Sequence, residues 1–261
     1  MDSSDLIELG VAIVEDAERQ GAELRLLGGV AVAVLCADVW KSHPALRRTP
    51  NDIDLAGYSR QSAEIERLLL ARGFAPAKEF NFLNAGRRLI FFRESDGVKI
   101  DIFLDEFRMC HRLSWAGRLE SAPPALAPAD LLLTKLQIVE FTQRDSLDCY
   151  AILLQCSGDQ TGKEAAFLEV ERIVRICSAD WGWYRTLMGN LIMLIECPPS
   201  QLEMRAIREV CSSLKGLRES IENCKKTALW RLRALAGERW RWYDSPEEPT
   251  FRTYLQPPTN I

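Results

Sequence analysis

The hydrophobic pattern of this 261-residue chain changes at residues 122–128, a stretch that holds three prolines. Before this stretch, short apolar runs with alternating side chains are separated by glycine turns, which is typical of strands mixed with helices. After it, apolar residues recur mainly at helical spacing. We therefore expect an α+β protein, in which a small mixed β-sheet with helices on one face is followed by an α-helical bundle.

The same pattern divides the chain into four segments. Residues 1–121 are predicted to form the α+β domain, residues 122–128 a proline-rich linker, and residues 129–243 the helical domain. Residues 244–261 contain four further prolines and are predicted to form an extended tail.

Periodicity and turn residues predict the individual elements. In the first part we expect one helix that ends near residue 20 and two more at 30–40 and 62–72. Strands are expected at 24–27, 52–56 and 74–83. The runs 87–93 and 98–104 flank a turn signal and are expected to form a hairpin. In the second part we expect helices at 129–141, 146–155, 164–177, 181–196, 201–214 and 217–243.

Composition excludes several classes of protein. The chain has 33 Lys+Arg against 37 Asp+Glu, so no chain-wide positive potential would hold nucleic acid. It lacks a signal-peptide pattern and any apolar run of the roughly 18 residues that span a bilayer, which favours the cytoplasm and no membrane partner. Two histidines and eight scattered cysteines argue against histidine triads, zinc sites and disulfides.

Acidic residues alternate with aliphatic ones in two runs of the first part. Asp52 and Asp54 share one face of a predicted strand, about 6.6 Å apart, because strand side chains alternate between faces. In residues 98–104 the even-numbered positions are aliphatic, so Asp101 lies on the opposite face. If the two strands are neighbours, three carboxylates meet on one side of the sheet.

Three crowded carboxylates repel one another unless a cation lies among them. Mg²⁺ prefers oxygen ligands and often binds substrate phosphates as well. The pattern therefore favours a two-metal phosphoryl-transfer site with Asp52, Asp54 and Asp101 as ligands. The alternative is that these acids are solvated residues of a strand face, since a short D-x-D pattern often occurs by chance.

A glycine pair, Gly28-Gly29, lies between a predicted strand and an apolar helix. Glycine lets the backbone approach a ligand closely, and a helix amino terminus offers free N–H groups to a phosphate. The pair is therefore a candidate phosphate-binding element, although it is also consistent with a simple tight turn.

Taken in chain order, these motifs resemble those of the polymerase-beta-like nucleotidyltransferase superfamily: Gly28-Gly29, Asp52-Ile53-Asp54 and Lys99-Ile100-Asp101. With residues 48–55 and 129–136 included, the chain looks most like the AbiEii/MenT-type and related minimal branches. The resemblance covers about residues 20–155.

The resemblance implies two Mg²⁺ ions and a nucleoside triphosphate (NTP) whose α-phosphate is attacked by an acceptor hydroxyl. It also implies that Asp52 and Asp54 hold the metals, that Asp101 joins them and helps to deprotonate the acceptor, and that Gly28-Gly29 receive the triphosphate. Lys135, with Asp148, matches a lysine and an acid that the AbiEii-type pattern carries on the helices after the sheet.

Three features near these motifs need separate treatment. Pro50 stands where the family often has Ser or Thr, so triphosphate contacts in that loop are expected to differ. Among several arginines whose forks suit phosphate, Arg48 is nearest to the acids in sequence and is the predicted NTP contact. Lys135 also fits the exposed polar face of a leucine-rich helix.

Two other kinds of function stay open. A catalytically silent nucleotidyltransferase-fold protein would act as a binding or regulatory partner, as in a toxin–antitoxin pair. Residues 230–243 interleave tryptophan with arginine, a pattern that binds RNA by stacking and phosphate contact or simply packs a bundle. For the enzyme, the acceptor is left open between an RNA end, a protein hydroxyl and a small molecule such as an antibiotic.

Overall fold

A mixed sheet lies at the centre of the first part of the chain. Its strands are β1 (Leu24–Leu27), β2 (Ile53–Gly57), β3 (Ala75–Pro76), β4 (Arg88–Arg93) and β5 (Val98–Leu104), and a separate pair is formed by β6 (Glu106–Arg108) and β7 (Arg112–Ser114). The five strands lie in the order β1-β2-β5-β4-β3. Strand β2 pairs with β5 in parallel, and the other neighbours are antiparallel.

The structure is a computed structural model that describes residues 3–120, 124–157 and 167–245. Helices make up most of the structure outside the strands. The helices are α1 (Ser3–Arg19), α2 (Gly28–Leu35), α3 (Ala37–Ser42), α4 (Ser62–Ala71), α5 (Lys78–Leu83), α6 (Pro128–Leu136), α7 (Gln143–Ser157), α8 (Val170–Ala179), α9 (Trp181–Glu196), α10 (Met204–Asn223) and α11 (Ala228–Ala236). This arrangement confirms the predicted α+β class with a mixed sheet followed by a helical part.

The sheet has one aliphatic face and one partly polar face, as the strand alternation requires. Ile53 and Ile100 are register partners and are fully buried on the aliphatic face. Helices α1 and α2 pack there, since a side chain at Gly10 of α1 would touch Leu26, Val30 and Ile53. The opposite face is left for the acidic side chains of β2 and β5.

Two predicted elements of the first part are wrong in detail. The helix expected at 30–40 begins two residues earlier and is interrupted at Cys36, which separates α2 from α3. The segment 74–83 forms only the short strand β3 and then helix α5. Asn81 of α5 exchanges hydrogen bonds with the backbone of Ile90 in β4, and Phe80 packs beside it, so tertiary contacts stabilise a helix here.

The carboxy-terminal helices also differ from the prediction. The two helices predicted at 201–214 and 217–243 are wrong, because α10 runs without a break past residue 216. Leu214, Leu217 and Ile221 keep one buried stripe along it. A new helix, α11, starts only after Thr227, whose hydroxyl accepts a hydrogen bond from the Trp230 backbone N–H as an N-terminal cap.

Part of the predicted linker belongs to the sheet edge. The backbone of Leu26 in β1 accepts a hydrogen bond from Leu126 and donates one to Pro124. Pro128 is the first residue of α6, where a proline is favourable because its missing N–H is not needed. Residues 121–123, the first residues of the helix predicted at 164–177, and residues 246–261 of the predicted tail lie outside the described residues.

The helical part and the sheet share one apolar core. Buried side chains of α6, α7, α9 and α10 form a continuous cluster with those of the sheet. A buried ion cluster also joins the two parts, since the fully buried Asp130 of α6 accepts hydrogen bonds from Arg118 at 2.6 Å and from Arg172 of α8 at 3.1 Å. The division into separate domains stays a prediction.

None of the helices formed by the described residues combines the length and the apolar character that crossing a bilayer needs.

His111, between β6 and β7, is a buried residue that connects the first part to α9. Its ring nitrogen lies 2.9 Å from the Thr186 hydroxyl, and its ring packs against Trp183. Burial lowers the pKa of His111 to about 4 from its usual 6.5. The folded protein therefore holds this ring neutral over a range where the unfolded chain is protonated.

We expect His111 to make the protein acid-sensitive. Between pH 6.5 and 4 the unfolded chain binds a proton that the folded chain does not, so the free energy of unfolding falls with falling pH, by about 3 kcal/mol from this residue. Urea denaturation at pH 7 and pH 4.5 checks this. The difference between the two pH values should be smaller in His111→Gln, and equal differences would contradict the assignment.

Candidate active site

The parallel pairing of β2 with β5 brings the predicted acids together. Asp54 and Asp101 are register partners, so their side chains emerge side by side on the same face. Asp52 immediately precedes β2 and keeps 42% of its side chain exposed, whereas Asp101 is only 2% exposed. The sheet thus holds one acid at the solvent boundary and another inside.

Gly28 places the start of α2 directly against Asp54. Its φ of +65° is a conformation that L side chains rarely adopt, and an added Cβ would overlap the Asp54 carboxylate. At Gly29 an added Cβ would lie 2.7 Å from a guanidinium nitrogen of Arg48. Gly28 is therefore favoured both by its positive φ and by the close approach of Asp54, whereas the contact at Gly29 involves only the end of the Arg48 side chain.

A cavity of about 360 Å³ opens over these residues. Its walls come from the end of β1, from β2 and β5, from the segment around β6 and from α6 and α7. The lining residues are Leu27, Gly28, Asp52, Asp54, Arg88, Lys99, Asp101, Phe103, Phe107, Met109, Thr134, Lys135, Ile138 and Asp145.

Two cations compensate the charge of Asp101. Arg88 of β4 donates to both of its carboxylate oxygens, at 2.8 and 2.7 Å. The Lys99 ammonium lies 3.4 Å from Asp101 and 3.6 Å from Asp52, so it bridges the two acids. Such charge-assisted, bidentate pairing fixes the orientation of a carboxylate.

Asp54 has a different environment from Asp101. Among the described residues it forms no ion pair, although Asp52 and Asp101 are close by. Burial, reinforced by the negative charges of Asp52 and Asp101, raises the pKa of Asp54 to about 8. Asp54 therefore holds a proton more readily than an ordinary aspartate does.

A buried carboxylate behind the cavity organises the basic residues. Asp148 of α7 has no exposed side-chain surface and accepts two hydrogen bonds of 2.6 Å from Arg48. It also lies 2.8 Å from the ammonium of Lys135, which reaches Asp145 at 3.6 Å. Burial lowers the pKa of Lys135, but Asp148 and Asp145 more than offset this and the net shift is upward. Lys135 is therefore a charged, nearly buried cation at the cavity wall.

The donor set fits a hard cation in its chemistry. Carboxylate oxygens are the ligands that Mg²⁺ prefers, and Lys99 already places a positive charge between Asp52 and Asp101. Within the described part of the chain, no three His, Cys, Asp or Glu side chains stand close enough to form a ready-made metal site. The unpaired Asp54, with Asp52 at the cavity mouth, is thus the pair best suited to receive an added cation.

The structure brings five of the residues predicted from sequence to one cavity, namely Gly28, Asp52, Asp54, Asp101 and Lys135. Gly29 and Arg48 adjoin this group from behind and do not line the cavity. Their roles, like those of the other five, stay predictions.

Sequence reasoning left out Lys99 and Asp145 as site residues. Lys99 stands two positions before Asp101 on β5, so the alternation that located Asp101 also signals Lys99. Asp145 precedes Asp148 by three residues on α7, a spacing that puts both on one helix face. Nothing local signals the pairing of Arg88 with Asp101, which depends on the register of β4 with β5.

The tryptophan- and arginine-rich segment 230–243 lies away from the acids. It borders a separate cavity of about 660 Å³ beside α9. Trp242 packs against Trp181 and donates to Thr186, while Arg233 stacks on Trp181 and donates to backbone carbonyls of the segment. Much of the pattern is thus used for packing, although Trp240 is 70% exposed.

Alanine substitutions at two glycines test the close approach of Gly28 to Asp54. Gly21 also has a positive φ, of +78°, but an added Cβ there meets nothing within 4 Å. Gly21→Ala should cost about 1 kcal/mol of unfolding free energy from backbone strain alone. Gly28→Ala should cost at least twice as much, because the carboxylate must also move. Equal losses in urea denaturation would contradict the close approach.

Removal of the Asp54 charge should stabilise the protein when no divalent cation is present. Between pH 3.8 and about 8 the folded state keeps a proton on Asp54 that the unfolded state loses, so unfolding free energy falls as pH rises. Asp54→Asn does not titrate, so its advantage in unfolding free energy over the original protein should grow steadily between pH 5 and pH 8.5. Denaturation with EDTA at pH 5 and pH 8.5 measures it. A destabilised variant at pH 8.5 would contradict this prediction.

Comparisons with known proteins add the following. No family model and no curated protein matches this sequence. Among solved structures, the chain is similar to an antigenic nucleotidyltransferase-like protein from Paracoccidioides brasiliensis, with a TM-score of 0.41 and 13% identity over 88% of this chain and 97% of that one. It is also similar to the antibiotic-resistance factor ANT(2'')-Ia, with a TM-score of 0.36 and 18% identity over 92% and 98% of the two chains. Because these scores and identities are low, the function has to be inferred from the residues of this chain.

Proposed function

We propose that the chain is a Mg²⁺-dependent nucleotidyltransferase, which moves a nucleoside monophosphate from an NTP to a hydroxyl acceptor. The observation that carries this proposal is the cavity in which Asp52, Asp54 and Asp101 face Gly28 and Lys135. A solvated strand face would not bury Asp101, leave Asp54 unpaired or require a glycine against a carboxylate. Such costly groups persist where function needs them.

The metal ligands in this proposal are Asp52, Asp54 and Asp101. When bound, Mg²⁺ supplies Lewis-acid polarisation of the phosphate and compensates its negative charge. The carboxylates of this chain would contribute charge and position, and a bound cation would favour the ionised form of Asp54. Arg88 and Lys99 hold Asp101 in place from the other side.

The triphosphate is assigned to the part of the cavity wall that the start of α2 and helix α6 form. The first turn of α2 offers backbone N–H groups at Gly28 and Gly29, and an amino-terminal helix end favours an anion. Lys135 adds a fixed positive charge at the same cavity. Arg48 acts from behind, since its guanidinium packs against Gly29 and is tied to Asp148.

The proposed reaction is a substitution at the α-phosphorus. The acceptor oxygen forms a bond to phosphorus, the bond from the α-phosphorus to the bridging oxygen breaks, and pyrophosphate leaves with that electron pair. The hydroxyl proton passes to Asp101, whose orientation is fixed by Arg88. Positioning and charge compensation are the main contributions of the protein to such a step.

The alternative is a catalytically silent protein of the same architecture that serves as a binding or regulatory partner. It shares the cavity but needs no Mg²⁺-dependent chemistry, so an activity measurement separates the two. RNA binding through residues 230–243 is a further alternative, for which the exposed Trp240 is the supporting feature.

NTP binding tests the proposal without knowledge of the acceptor. Calorimetry with each of the four NTPs should show binding that requires Mg²⁺ and that weakens at least tenfold in Asp52→Asn and in Asp54→Asn, because each variant loses one ligand of the cation. Asp38→Asn on α3 is the matched control and should bind as the original protein does. Pyrophosphate release should fall at least 100-fold in the same two variants.

Two outcomes would contradict this proposal. One is Mg²⁺-independent NTP binding that neither variant changes. The other is pyrophosphate release that survives the double variant Asp52→Asn with Asp54→Asn.

A further inference from the structure

A second cavity adjoins the one that holds the acids. It measures about 390 Å³, and its lining residues are Asn84, Arg87, Arg88, Phe103, Glu106, Arg108, Met109, Asp244 and Ser245. Arg88, Phe103 and Met109 line both cavities. These three side chains form the shared boundary of the two cavities, so a molecule bound in the second cavity, here called the arginine cavity, lies one side-chain layer from Asp54 and Asp101.

Arginine side chains dominate the charge of the arginine cavity. Arg87 and Arg108 are exposed to solvent, and Arg88 lies between them and Asp101. The cavity has two acids, of which Glu106 is paired with Arg112 at 3.0 Å. Guanidinium groups match phosphate oxygens with two parallel hydrogen bonds, so an anionic ligand fits this lining better than a cationic one.

The remaining acid, Asp244, holds Arg108 only weakly. The two charged groups lie 3.3 Å apart, and their side chains are 55% and 47% exposed. Exposed ion pairs of this kind contribute little to stability and exchange readily with other ligands. A phosphate could therefore replace the Asp244 carboxylate on Arg108.

Apolar surface completes the site next to the acids. The Arg88 guanidinium stacks over the Phe103 ring at 4.7 Å, and Met109 stands beside them. Phe103 is only 5% exposed beneath Arg88, so the partly exposed Met109 thioether is the apolar contact offered to the carbon face of a sugar, while the arginines suit an anionic group further out.

We propose that the arginine cavity is the acceptor subsite, and that the acceptor carries a phosphate group close to its reacting hydroxyl. This inference rests on the proposed nucleotidyl transfer and deepens it. The acceptor phosphate binds Arg87 and Arg108, and the adjacent hydroxyl reaches the junction at Phe103. Its oxygen there bonds to the α-phosphorus of the NTP, pyrophosphate leaves, and the proton passes to Asp101.

Two kinds of molecule could carry the acceptor phosphate, and direct binding measurements distinguish them. One is the 3′ end of a single-stranded RNA, probed with a fluorescein-labelled oligoribonucleotide of about 10 nucleotides. The other is a small sugar phosphate, probed with ribose 5-phosphate. Binding of both is measured on the full chain at low salt without NTP, by anisotropy and by calorimetry, so the result does not depend on catalysis.

Substitutions of opposite effect locate the site. Arg87→Gln and Arg108→Gln should each weaken binding of the phosphate probe roughly tenfold, because each removes one charge-assisted contact. Asp244→Asn should tighten binding at least twofold, since it frees Arg108 from its carboxylate. Arg67→Gln, at an exposed arginine of α4 outside both cavities, should leave the affinity unchanged.

Binding of either probe with this pattern of variants supports the inference and identifies the source of the phosphate. Failure of both probes to bind, or equal affinities in the arginine variants and the Arg67→Gln control, overturns it. So does pyrophosphate release that is stimulated by a polycationic aminosugar and not by either phosphate probe. Mg²⁺-dependent NTP binding is measured separately, so a failure of this inference can be distinguished from a failure of the proposed function.

Discussion

Repulsion between carboxylates on adjacent strands is the constraint to which the rest of the site responds. The parallel register of β2 and β5 forces Asp54 next to Asp101 in a partly dehydrated place. Arg88 and Lys99 compensate Asp101, while Asp54 is left with a pKa of about 8. A fold selected only for stability would have an apolar residue at position 54, because a half-buried carboxylate without an ion-pair partner is costly.

A second layer of charges determines where the cations stand. Asp148, buried on α7, receives Arg48 from the loop before β2 and Lys135 from α6. The Asp148 carboxylate therefore connects α7 to α6 through Lys135, and to the loop before β2 and the amino-terminal end of α2 through Arg48. Since breaking a buried pair leaves an uncompensated charge, these elements are held in one arrangement. Lys135 can then face the acids across the cavity instead of lying on the polar face of its helix.

The two adjoining cavities differ in the charged side chains that line them. The first presents carboxylates and a glycine turn, and the second presents arginines around an apolar junction at Phe103. Arg88 stands between them and is paired with Asp101. Carboxylates thus gather in one cavity and arginines in its neighbour, which is the arrangement that the proposed reaction between two phosphate-bearing molecules would need.

Much of this protein could be predicted from local patterns in its sequence. Strand alternation located Asp52, Asp54 and Asp101 on one face, and the glycine pair marked the start of α2, because these features depend only on the backbone period and on φ. Local patterns misjudged segment 74–83, where Asn81 bonds to β4, and segment 217–243, where a buried aliphatic stripe continues α10 through Leu217 and Ile221. The tertiary structure alone decided that Arg88 pairs with Asp101, that Lys135 and Arg48 share Asp148, and that Arg87 and Arg108 line one cavity. These residues are far apart in sequence or depend on strand register, and only packing of the whole chain brings such charges within a few ångströms.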